Sequence, residues 1–203
     1  MDKAKIRLSP KEAELVSNAD WILTKNGILQ KARYILEHLQ SGQQHFIQSY
    51  IKAMPAEVLQ IPPKISKGEN YKGLPYLVLD HPRYFEGQNH FAIRSMFWWG
   101  NFFSITLQLS GVYKKMYASK MEAALADFKK EEFFLCIGND QWEHHFEATN
   151  YLPLQDMTAD AYKKHSGDKD FIKLAKMYPL SHWDNAGDLL LTSFSAIIKW
   201  LTG

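Results

Sequence analysis

Cys136 is the only cysteine in 203 residues. Its isolation excludes an internal disulfide, every paired-cysteine zinc site and every dithiol redox motif. An excess of one charge is missing too. The 24 Lys and Arg against 22 Asp and Glu are scattered, without the basic stripe that binding a phosphate backbone requires. Nucleic acid is therefore not an expected partner. No apolar run reaches spanning length: LLLTSFSAII, from Leu189 to Ile198, is interrupted by Thr and Ser and is about half of what a bilayer demands. It reads as a core helix, so no membrane partner is expected. The opening MDKAKIRLSPKEAE has no apolar stretch behind its charges to act as a leader, and the expected location is cytoplasmic.

Catalytic signatures are also lacking. Gly68 and Gly73 have phosphate-loop spacing, but Leu74-Pro75 stand where Lys and Ser or Thr would meet phosphate and Mg²⁺. No dinucleotide fingerprint, G-x-S-x-G elbow or H-E-x-x-H occurs. No cofactor or metal is thus expected, and enzyme status stays open.

What is present is aromatic. Ten of the 28 Phe, Tyr and Trp residues fall in the 41 positions from Tyr71 to Gly111. There, β-branched and aromatic residues alternate between the turn signals Gly87-Gln88-Asn89 and Trp99-Gly100-Asn101, as paired antiparallel strands need. With 46% hydrophobic residues the chain can bury one substantial core, and residues 1–203 are read as a single α+β domain. Helices surround the strands. Ser9-Pro10-Lys11-Glu12 combines an N-cap serine, a proline at the first helical position and a capping-box glutamate. Leu15, Val16, Ile22 and Leu23 follow at helical spacing, Asn26-Gly27 reads as a stop, and a second helix carries Ile28 to Leu39. Val112 to Lys130 reads as an amphipathic helix with Val112, Met116, Met121, Leu125 and Phe128 inward. Thr158 and Asp168 are candidate caps, the latter for a helix from Lys169 to Met177, and Ala186 to Leu201 closes the chain as a helix. The fold class is α+β: an antiparallel sheet of aromatic-rich hairpins packed against N-terminal and C-terminal helices.

Two hairpins and one strand end carry the candidate sites. EFFLCIG and QWEHHFEAT flank Asn139-Asp140. A two-residue loop there pairs Ile137 with Trp142, sets Phe133, Leu135, His144 and Phe146 on the core face, and brings Cys136 across from Glu143 and diagonal to His145. Such a cluster suits a thiolate nucleophile beside an imidazole. His145 with Glu143 or Glu147 could add metal ligands. The competing reading is that these alternate polar residues simply face water. In the aromatic hairpin, a Gly100-Asn101 turn sets Trp98 opposite Phe103 and places Arg94 in an apolar row, where it needs a carboxylate such as Asp80 or Glu86, or an anionic ligand. The opposite face mixes Phe91, Ile93, Phe97, Trp99 and Phe102 with Ser95, Ser104, Thr106 and Gln108, a composition that fits either a ligand pocket or a helix-covered surface. Asp80, His81, Pro82 and Arg83 end a strand at an edge or bulge and offer an acid, a base and an anion donor close together.

Three functions follow as expectations. The first is a binding domain for a small, anionic molecule at the aromatic sheet face or edge, through Arg94, Asp80, Arg83, Trp99 and Gln108. The second is a hydrolase or transferase using His145 with Cys136 or Glu143, or His81 as base. The third is a homodimeric interaction module whose surplus aromatic residues form an exposed patch.

Overall fold

A computed structural model describes residues 6–203; the first five residues of the stretch read above for a leader lie outside the described residues. Among the described residues, seven strands form one antiparallel sheet. They are β1 (Lys64–Tyr71), β2 (Leu74–Glu86), β3 (Asn89–Trp98), β4 (Phe102–Ser110), β5 (Phe134–Cys136), β6 (Tyr151–Pro153) and β7 (Phe171–Pro179). Their spatial order is β1-β2-β3-β4-β7-β5-β6. The first four are a meander because each turn is short. Lys72 and Gly73, at φ +48° and +80°, close a two-residue loop between Tyr71 and Leu74, the geometry that matches strand twist.

Helices cover one face. The α1 helix (Pro10–Ser17) begins with the expected capping box, Ser9 Oγ accepting from Glu12 N–H and Glu12 accepting from Ser9 N–H. Asn18, not Asn26-Gly27, then separates it from α2 (Ala19–Ile47), which runs through Gly27 without a break. Asn18 accepts from Trp21 N–H, whereas Gly27 keeps helical geometry and a lone glycine costs only about 1 kcal/mol. Leu29, Ala32, Leu36, Leu39, Gln43 and Ile47 form the buried stripe of α2. Helical spacing does not bring the first apolar set inward: α1 buries nothing, and Leu15, Val16, Ile22 and Leu23 are exposed.

The C-terminal helix, α7 (Ala186–Thr202), packs beside α2 and buries Leu190, Phe194, Ile197, Ile198 and Leu201. The approach is close at Gly42, where a Cβ would lie 2.9 Å from the Leu191 side chain. Three short helices, α3 (Ala56–Gln60), α5 (Leu125–Lys130) and α6 (Ala159–Gly167), and the longer α4 (Gly111–Ala123) complete the set. Met121, Leu125 and Phe128 point inward as expected, but Val112 and Met116 are exposed; Tyr113 and Tyr117 occupy the inner stripe of α4 instead.

Three elements differ from expectation, and each difference relocates side chains. Lys169 to Met177 is not a helix but contributes β7, inserted between β4 and β5. Its Lys, Leu, Ala and Met favour a helix locally, but strand pairing on both sides overrides that preference. The β3–β4 turn has three residues, so Trp98 pairs with Phe102 and not with Phe103. A one-residue slip turns a whole strand over. Phe103, Ile105, Leu107 and Leu109 therefore join Phe91, Ile93 and Phe97 under the helices, while Ser104, Thr106 and Gln108 share the other face with Arg94. Finally, no hairpin forms at Asn139-Asp140. Strand β5 ends at Cys136 and pairs with Tyr151–Pro153, leaving residues 137–150 as an irregular loop laid over the second face. Phe146 anchors it, stacked on Tyr151 at 4.7 Å and edge-on to Phe102 and Phe134.

Candidate functional site

The uncovered part of the second face is a cavity of about 460 Å³. Strand register builds its floor: Ser66 pairs with Val78, Lys64 with Asp80, and Asp80 with Arg94. Tyr76 stands over Gly68, where a Cβ would come within 2.3 Å of the ring, so a larger residue at position 68 would displace that wall. One extra residue in β2 between Asp80 and Arg83 forms a bulge. The bulge returns Arg83 and Phe85 to the cavity side while His81 points to the helices. The strand does not end at Asp80 to Arg83 as expected but runs on to Glu86, because β3 keeps pairing with it beyond the bulge; Pro82 does sit at an edge and bulge, since β1 pairs no farther along β2 than Asp80.

Asp80 and Arg94 form a two-pronged ion pair, Nε to Oδ1 at 2.7 Å and Nη2 to Oδ2 at 2.9 Å. Asp80 is thus the carboxylate partner that an arginine at position 94 requires. The third guanidinium nitrogen, Nη1, lies 3.0 Å from Nε2 of His144. A guanidinium can only donate, so that imidazole nitrogen accepts and the ring is neutral. Burial, followed by the positive charges of Lys173 and Arg94, holds the His144 pKa well below the usual histidine value.

Tyr71 fixes the loop above this pair. Its hydroxyl accepts from the backbone N–H of His144 at 2.6 Å and of His145 at 3.2 Å. It also lies 3.2 Å from His145 Nδ1. With the lone pairs so engaged, the phenol proton is directed to Nδ1 and His145 Nε2 carries its own hydrogen. That nitrogen is 3.6 Å from Glu147 and 3.9 Å from Glu143. Burial raises the Tyr71 pKa.

Lys173 is the second anchor of the loop. It is fully buried, with Nζ donating to the carbonyl of Gln141 at 2.9 Å and to that of Glu143. Burial pushes its pKa down to about 8. Gln141 also accepts from Gln108 Nε2 at 2.8 Å and lies 3.2 Å from His90 Nδ1.

The residues proposed from sequence separate into groups. Asp80, Arg83 and Arg94 line the cavity. Gln108 is on the same face but buried beneath the loop, and half-buried Trp99 packs with the helix-side core. His81 is on the helix side. Cys136 is opposite Tyr151, not Glu143, because the second hairpin does not form. Its Sγ lies 3.4 Å from Asn150 Oδ1, and burial raises its thiol pKa. Cys136 and His145 are thus held by different partners, although Asn150 contacts both, donating to the His145 carbonyl at 2.7 Å. Among the described residues, no three His, Cys, Asp or Glu side chains converge to hold a metal ion, and no helix is long and apolar enough to cross a membrane. Tyr71, Trp142, His144, Lys64 and Lys173 are the functional-site residues that sequence reasoning missed. The two-residue Lys72-Gly73 turn was the available signal for Tyr71, whereas FIKLAKMYP, from Phe171 to Pro179, carries no alternation that would mark Lys173. In comparisons with known proteins, the chain matches no family model, no curated protein and no solved structure.

Proposed function

We propose that the chain is a binding domain for a small, planar, anionic molecule, seated in the cavity between β1–β3 and the 137–150 loop. One observation carries this reading: three cations, Lys64, Arg83 and Arg94, line the cavity against a single carboxylate, Asp80. Asp80 is committed to Arg94. Arg83 donates Nε only to the Pro62 carbonyl, at 3.0 Å, and neither it nor Lys64 forms an ion pair among the described residues. Tyr76, Phe85 and Trp142 supply flat apolar walls. Cations beside aromatic faces suit an aryl carboxylate or aryl phosphate, in which charge and ring are recognised by different parts of the site.

Isothermal titration tests the reading with phenyl phosphate and, as an uncharged aryl probe, benzyl alcohol. Phenyl phosphate is expected to bind saturably, benzyl alcohol at least tenfold more weakly, and the Lys64→Ala/Arg83→Ala double variant to lose most phenyl phosphate affinity. Equal binding of both probes, or an unaffected double variant, would reject it. The exposed apolar residues Leu15, Val16, Trp21, Ile22 and Leu23 favour a second reading, a homodimeric interaction module. Sedimentation velocity over a range of concentrations tests it; a monomer throughout would end it.

A further inference from the structure

The charged cavity is lined in part by an edge strand of the sheet. Strand β1 stands first in the strand order and, among the described residues, pairs only with β2. Alternate residues of such a strand direct their N–H and C=O groups away from the sheet, leaving a row of backbone donors and acceptors without strand partners. Pro62-Pro63 before Lys64 and the bulge after Gly68 limit the regular part of this edge to residues 64–68. The side chains alternate as well: Lys64 and Ser66 line the cavity, whereas Ile65 packs with the helix-side core.

Charge selects what can pair there. Lys25 and Lys67 share the single carboxylate of Glu69, at 3.0 and 2.6 Å, and Lys64 adds a further cation, so the edge is net positive. That opposes a second copy of the same strand and favours an acidic one. Distance selects the anion. Neighbouring strands lie about 4.8 Å apart, so a strand added beyond β1 lies about 10 Å from β2, which carries Arg83. Asp, Glu and phosphoserine side chains are too short for that span. Phosphotyrosine covers most of it, setting its ring beside Tyr76 and its phosphate between Lys64 and Arg83, which line the same cavity.

We propose that the partner is an acidic, extended peptide segment that adds to β1 as an eighth strand of the seven-stranded sheet and inserts a phosphotyrosine side chain into the charged cavity. The proposal rests on the anion-binding reading of that cavity and names what carries the anion. Backbone pairing along β1 supplies affinity, and the cavity supplies dependence on the phosphate.

A capped hexapeptide, Glu-Glu-phosphotyrosine-Val-Thr-Val, titrated beside phenyl phosphate tests this. The peptide is expected to bind about tenfold more tightly than phenyl phosphate and to weaken about tenfold without its phosphate. It should slow amide exchange within residues 64–68, which phenyl phosphate should leave unchanged. Two versions N-methylated on alternate residues, one for each edge of the peptide strand, keep sequence and phosphate; only one should bind, because only one peptide edge can face β1. If phenyl phosphate binds but the peptide binds no tighter, or if the two methylated versions bind equally, the proposal is overturned and the anion site stands. Failure of both phenyl phosphate and peptide removes both. Equal binding without the phosphate, or exchange in residues 64–68 that slows with protein concentration alone and so assigns the edge to a second copy, would also overturn the proposal.

Discussion

Arg94 grips Asp80 across neighbouring strands through two nearly parallel bonds of 2.7 and 2.9 Å, and with its remaining nitrogen it meets the neutral imidazole of His144. One residue thus ties the sheet floor to the loop above it and still faces the cavity. Asp80→Ala is expected to destabilise the fold by about 2–3 kcal/mol, because it leaves a mostly buried guanidinium unpaired. Adding Arg94→Met should restore part of the loss, giving a coupling of about 1–3 kcal/mol in urea denaturation. Asp80→Asn keeps the shape but removes the negative charge, and phenyl phosphate is expected to bind about fivefold more tightly to it.

Acid should weaken the protein in a defined window. His81 has its pKa lowered to about 4 from 6.5, chiefly by burial, and that of His144 is lowered as well. Between those pH values the unfolded chain binds protons that the folded chain refuses, so stability is complete above pH 6.5 and is lost as pH falls toward 4. His81 alone accounts for a loss on the order of 3 kcal/mol. Thermal melts of His81→Leu across this window should show a shallower fall than the wild type; an identical slope would show that His81 is not buried as a neutral ring.

Lys173 should hold the loop more than the sheet. Lys173→Met removes both bonds to the Gln141 and Glu143 carbonyls while keeping an apolar stem of similar shape in β7. Amide hydrogen exchange within residues 139–149 is expected to accelerate at least tenfold, with β3 and β4 protected as before. Uniformly faster exchange would mean that the lysine supports the whole sheet.

Cys136 is expected to be unreactive. The thiol is 2% exposed, its pKa is raised by burial, and its neighbour is the Asn150 amide. Iodoacetamide at neutral pH should modify it at least a hundredfold more slowly than free cysteine. A rate equal to or above that of the free thiol would restore it as a nucleophile.

Local chemistry was readable in the sequence, whereas register and distant pairing were not. The Ser9–Glu12 capping box and the aromatic meander depend on neighbours a few residues apart and stand as expected. The cavity-side face of β4 depended on whether the turn at Gly100 holds two residues or three, and that single residue decided whether Gln108 or Leu109 shares a face with Arg94. Lys173 was hidden because β7 is recognisable as a strand only beside β4, whose partner residues are far away in sequence. His144 was assigned to a hairpin core that does not form; it reaches the cavity because Tyr71, on another hairpin, captures its backbone N–H.

The most direct measurement is a ¹⁵N-resolved NMR titration of the protein with phenyl phosphate, covering backbone amides and the Trp indole N–H groups. Saturable shifts are expected at Lys64, Tyr76, Arg83 and the Trp142 indole, which line the charged cavity, while the Trp183 and Trp200 indoles, which pack with the helix-side core, stay unmoved. Shifts confined to the lysine-rich surface around Lys114, Lys115 and Lys169, or no saturable shifts at all, would contradict the assignment of this cavity as an anion-binding site.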